Sequence, residues 1–161
     1  MTFRRSWRLL SAALVLLPAP GLWGQMGQLL SVAAPRMTMG ARKATLSARL
    51  SVQLRSGYHV NSSTPSDKYL IPLRLTWNPS SLQVQEVAYP KPQLRTYSFS
   101  KKPISVYSDN FDIETRFLVP AGAPLGAAVL TGKLRYQACN DSSCFPPKTV
   151  DVRLPVTIRA Q

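Results

Sequence analysis

Strict alternation restricts this chain more than any other feature. Leu46, Ala48, Leu50, Val52 and Leu54 interleave with Ser47, Arg49, Ser51, Gln53 and Arg55. A period of two puts all the apolar side chains on one face of an extended strand, whereas a helix would spread them around its circumference. The stretch therefore reads as a half-buried strand, closed by the turn signal Ser56-Gly57.

The pattern recurs along the chain. Tyr69, Ile71, Leu73, Leu75 and Trp77 share a face before the turn Asn78-Pro79-Ser80-Ser81. Leu82 to Ala88 and Ile104 to Tyr107 are weaker strands, separated by Tyr89-Pro90-Lys91-Pro92 and a polar, aromatic loop. Phe111, Ile113, Thr115, Phe117 and Val119 give another strand. Beyond the Pro120 to Gly126 turn, Ala128, Leu130, Gly132, Leu134, Tyr136 and Ala138 line one face of a strand that runs into Cys139. Val150, Val152, Leu154, Val156 and Ile158 form the last, with Pro155 on its outward side, where an edge or a bulge tolerates the missing amide. Seven or eight short strands without a helical period predict an all-β fold: an immunoglobulin-like antiparallel β-sandwich, with a small barrel as the alternative. The 161 residues leave room for one domain and show no internal repeat.

The N-terminal segment carries an address. Arg4, Arg5 and Arg8 precede the apolar run Leu9 to Leu17, which Pro18, Pro20 and Gly21 end; this is the order of a secretory signal. The prolines hold the run short of the roughly 20 apolar residues a membrane span needs, so retention as an anchor is the lesser alternative. The expected organisation is a signal peptide over residues 1–24, a flexible lead-in over 25–43 marked by Gly27, Pro35 and Gly40, and one domain over 44–161. The location is periplasmic or otherwise exported. A formal charge of +13 suits anionic lipid or an acidic partner face. The basic residues are scattered, however, with no run longer than pairs such as Arg42-Lys43 and Lys101-Lys102, so a solvated basic surface is preferred. An exported chain with no nucleic-acid module is not expected to bind nucleic acid.

Export makes Cys139 and Cys144 the chemically decisive residues. Two cysteines allow one pairing, and outside the cytoplasm neighbouring thiols oxidise. Both lie in Tyr136-Gln137-Ala138-Cys139-Asn140-Asp141-Ser142-Ser143-Cys144-Phe145-Pro146-Pro147, on or beside a hairpin connection. A bond there closes a very short loop and contributes about 2 kcal/mol at most. An immunoglobulin-type disulfide instead ties two sheets across a long separation beside a core tryptophan, an arrangement this chain lacks. A short loop-borne disulfide is open to an attacking thiolate, which favours exchange over permanence. The competing reading is an exported immunoglobulin-like protein-binding module with a structural hairpin disulfide. Asp141 and Lys148 act in opposite directions on a thiolate, so the order of attack stays open.

Other residues weigh less. His59 is the sole histidine, and ordinary packing or surface placement is preferred to general-base duty. Tyr58, Tyr136 and Phe145 line the cysteine pocket on one reading and pack the sandwich core on another. Trp77 reads as core. Asp109, Asp112 and Glu114 are too sparse for calcium and read as solvated. No cofactor and no metal site is expected.

The run from Tyr136 to Pro147, with Gly57-Tyr58-His59-Val60-Asn61 and Leu70-Ile71-Pro72-Leu73, resembles the exported N-terminal domain of the thiol:disulfide interchange protein DsbD, the disulfide-bond corrector family. The resemblance extends from about Thr45 to Ile158. It implies an immunoglobulin-like domain that takes electrons from a thioredoxin-like donor and passes them to oxidised periplasmic proteins. Its cysteine pair, here Cys139 and Cys144, would carry this protein-disulfide reductase step. The resemblance also implies an aromatic loop that caps the pair against stray oxidation. The corresponding stretch is Thr96-Tyr97-Ser98-Phe99-Ser100-Lys101, with Phe99 the candidate cap and Tyr97 beside it. Two departures stand out. Well-known members carry one more residue between their cysteines, and they are fused to a membrane electron carrier and a thioredoxin-like domain; a membrane electron transporter is expected in trans.

Overall fold

The computed structural model describes residues 28–33 and 35–161. The signal segment expected over residues 1–24 lies outside the described residues. Among them there is no helix.

The alternating stretch forms β3 (Thr45–Leu54), and its apolar side, Leu46, Ala48, Leu50 and Val52, is buried. β1 (Leu30–Val32) pairs with one edge of β3 and β9 (Phe111–Leu118) with the other, both antiparallel; β6 (Gln83–Ala88) extends beyond β9. The facing sheet has the order β2 (Thr38–Ala41), β12 (Lys148–Arg159), β10 (Gly126–Tyr136), β5 (Arg74–Trp77). In it β2 runs parallel to β12 and the other neighbours are antiparallel. A third, smaller sheet has the order β11 (Ala138–Cys139), β4 (His59–Asn61), β8 (Ile104–Tyr107), β7 (Gln93–Arg95).

The two large sheets enclose the core. One cluster joins Leu50, Val52 and Ile113 to Leu134, Val152 and Leu75, and reaches the small sheet through Val60 and Tyr107. A second joins Leu46 and Phe117 to Leu130, Leu154 and Val156. Half-buried Trp77 packs against both, meeting Phe117 edge-on at 5.3 Å and donating from Nε1 to Thr115 Oγ1. Gly132 makes room for it, because a Cβ there would stand 2.8 Å from the Thr76 carbonyl and 3.0 Å from the Trp77 ring. This is the architecture of an immunoglobulin-like sandwich.

The structure departs from the sequence pattern at three places. The stretch read as lead-in supplies β1 and β2, and Leu30 is fully buried; strands of three and four residues are too short to show a period. The run beginning at Tyr69 is a strand only from Arg74, and Tyr69 is exposed. Asp67 accepts from the Tyr69 amide and Ser62 from the Leu73 amide, so local turns and a loop contact replace a ladder around Pro72. Ala128 lies on an exposed stretch of β10 instead of in the core. Pro155 falls just before β2 joins β12 at Val156, where no strand among the described residues pairs with the outer side of β12.

Candidate redox site

The site is built where β10 stops. Gln137 interrupts the strand, and its side chain is a hub. Oε1 accepts from Asn61 Nδ2 at 3.0 Å and from the Ile71 amide at 3.1 Å, while Nε2 donates to the Phe145 carbonyl at 3.2 Å. These bonds direct the chain off the long ladder and onto β4, where Ala138 pairs with Val60 and Cys139 with His59.

The turn that follows closes on itself. Asn140 Oδ1 accepts from the amides of Ser142 and Ser143. The Asn140 amide donates to the Ser143 carbonyl and the Phe145 amide to the Ala138 carbonyl. This brings Cys144 directly opposite Cys139 with Cα atoms 4.0 Å apart, and the two are joined as a disulfide. Their surroundings differ, since Cys139 is fully buried and Cys144 half-buried.

The loop between β7 and β8 lies over this hairpin. The Tyr97 ring stacks on His59 at 4.0 Å, and Phe99 stacks on Tyr97 at 5.5 Å, the three planes within 14° of parallel. Ser98 Oγ donates to the Asp141 carbonyl. Phe99 is 36% exposed and lies beside the Tyr97–His59 pair, 6.4 Å from His59. On the exit side of the hairpin Tyr58 and Phe145 meet at 5.9 Å. Tyr136 belongs to the core, 1% exposed, with a hydrogen bond to the Leu30 main chain; burial raises its hydroxyl pKa.

The sequence reads His59 as ordinary packing or surface. The structure makes it buried, 2% exposed, beneath Tyr97 and across from Cys139. Burial lowers its pKa from 6.5, with Asp141 acting in the opposite direction. The sequence signal was slight, a lone histidine in a short apolar run. Of the acidic residues read as solvated, Asp112 and Glu114 form ion pairs with Arg49 and remain solvent-exposed on the outer face of the first sheet.

The site is thus a disulfide-bonded cysteine pair on a self-closed hairpin, on a small sheet beside the core of a β-sandwich. The family model of the N-terminal domain of thiol:disulfide interchange protein DsbD matches residues 28–155, and the chain belongs to that family. Among solved structures it is similar to the N-terminal periplasmic domain of ScsB from Proteus mirabilis, at 16% identity and a TM-score of 0.48 over 74% of this chain. The chain covers 43% of that ScsB chain. It is also similar to the seventh ScaB type I cohesin from Pseudobacteroides cellulosolvens, at 12% identity and a TM-score of 0.48, covering 82% of this chain and 93% of that one. No curated protein matches the chain.

Proposed function

We propose that this domain is a periplasmic electron carrier, exported by the signal segment over residues 1–24 and acting through Cys139 and Cys144. A thioredoxin-like donor's thiolate attacks Cys144, the more exposed sulfur; a mixed disulfide forms and Cys139 leaves as the thiolate. The donor's second thiol then releases the reduced pair. Reduced Cys144 goes on to attack the disulfide of an oxidised periplasmic client, and Cys139 resolves that intermediate. Phe99 and Tyr97 shield the pair until a partner displaces them.

One observation carries the reading beyond family membership. The hairpin is closed by main-chain bonds and by the Asn140 side chain, so it has little need of a covalent brace. The test is the reduction potential, measured by equilibrating the purified protein with glutathione buffers and trapping free thiols. A carrier falls between about −270 and −120 mV, in range of thioredoxin-like proteins. A value well below about −300 mV marks a structural bond and makes the domain a binding module.

A further inference from the structure

The exchange just described gives His59 no part, yet this residue is buried inside the site. Its Nε2 is shielded from water and has no hydrogen-bond partner among the described residues. Buried polar atoms are nearly always paired, so an orphaned one asks for an explanation. The register supplies the context. His59 and Cys139 stand directly opposite one another on β4 and β11, so their side chains leave the same face of the small sheet as nearest cross-strand neighbours. Tyr97 stacks on the imidazole, fixing its plane and covering it.

A disulfide sulfur carries no proton, whereas a thiol does. Reduction therefore creates an S–H donor at Cys139 beside an imidazole nitrogen that lacks a partner in the oxidised form. We propose that His59 accepts the proton of the Cys139 thiol when that thiol resolves the mixed disulfide between Cys144 and a client. This rests on the reading of the pair as an electron carrier.

The step balances as follows. The Cys139 S–H bond breaks and its proton passes to Nε2. The freed electron pair forms the Cys139–Cys144 bond, and the bond from Cys144 to the client's sulfur breaks with its electrons leaving on that sulfur. The pair is oxidised by two electrons and the client disulfide is reduced; the imidazolium returns its proton to the departing thiolate or to water.

A base for this step must be neutral, and burial keeps the imidazole so. The ionisable groups around it are few. Asp141 comes from the hairpin, Tyr97 from the cap and Tyr58 from the preceding residue, while Tyr107 of β8 stands opposite Val60 and leaves from the core face, away from His59. Asp141 favours the imidazolium once it forms.

The experiment follows one turnover. Reduced protein is mixed with glutathione disulfide, and decay of its glutathione adduct into the Cys139–Cys144 disulfide is read by acid quench and mass spectrometry from about pH 5 to pH 9, which spans the ordinary histidine and thiol ranges. His59→Phe keeps a ring under Tyr97 and removes the base. Its adduct should resolve at least about tenfold more slowly near neutrality and approach wild type as the thiol ionises unaided. Matching profiles at every pH overturn the assignment to His59. Failure of the wild type to form the disulfide from its adduct overturns the carrier reading itself. A second measurement needs no variant, because the imidazole signals of the sole histidine are unambiguous in proton NMR. Their titration should shift between oxidised and reduced protein, and an identical titration in both forms also overturns the proposal.

Discussion

Ser98 Oγ donates a 2.7 Å hydrogen bond to the main-chain carbonyl of Asp141, fastening the cap to the turn between the two cysteines. The bond joins two exposed loops, so its loss should alter access to the sulfurs and leave the fold intact. Ser98→Ala removes about 1 kcal/mol of closure, equivalent to about fivefold more frequent opening. Reduction of the disulfide by excess dithiothreitol should accelerate by about that factor, at unchanged melting temperature. An unchanged rate would mean that the ring stack alone holds the cap.

The stack predicts an order of effects. Tyr97 covers His59 at 4.0 Å, whereas Phe99 lies 6.4 Å from the imidazole and is the more exposed. Aromatic pairs contribute about 0.5–1.5 kcal/mol each beyond burial. Tyr97→Ala should therefore speed dithiothreitol reduction more than Phe99→Ala does. Equal effects would show that the two rings cover the site to the same extent.

The burial difference between the cysteines predicts unequal reactivity. In Cys139→Ser the remaining Cys144 is half-exposed, while in Cys144→Ser the remaining Cys139 is buried. Alkylation by iodoacetamide should be at least about tenfold faster in the first variant, since access limits thiol reactivity. Reducing the wild-type bond should lower stability to urea by no more than about 2 kcal/mol. A much larger loss would identify the bond as a brace.

His59 also gives stability a direction with pH. Its folded pKa lies below the unfolded value of 6.5 because burial disfavours the imidazolium. The unfolded chain thus binds the extra proton first, and this contribution is complete above the unfolded pKa and lost as pH falls through the window beneath it. Urea midpoints of wild type should decline there, and those of His59→Phe should decline less. Parallel curves would mean that another group governs the acid limb.

Gln137 should matter more than an ordinary polar residue. It serves Asn61, the Ile71 amide and the Phe145 carbonyl together. Orphaning buried partners costs about 1–3 kcal/mol each, so Gln137→Ala should lose about 3 kcal/mol in urea unfolding. A loss under about 1 kcal/mol would show that water replaces the amide.

The long strands were readable because β3, β9, β10 and β12 run for eight to twelve residues and alternate buried with exposed positions over much of that length. Short strands such as β1, β2 and β7 carry three or four residues and no period. The cysteines announced themselves by type and spacing. The surroundings of His59 did not, because Tyr97 and Cys139 reach it through pairings of β4 with β8 and β11 that no local pattern encodes. Gln137 was hidden for the same reason: its partners come from three separate stretches of chain.

The two cysteines lie in the connection between β10 and β12, a pair in register over eleven positions from Gly126 opposite Ile158 to Tyr136 opposite Lys148. These strands are also close in sequence, and a loop of about ten residues closes in tens of nanoseconds. During synthesis or refolding the sulfurs can therefore meet as soon as this one hairpin zips, before the chain has assembled the sheets around it. On the proposed carrier function, the bond traded between proteins belongs to the part of the molecule with the least distance to search.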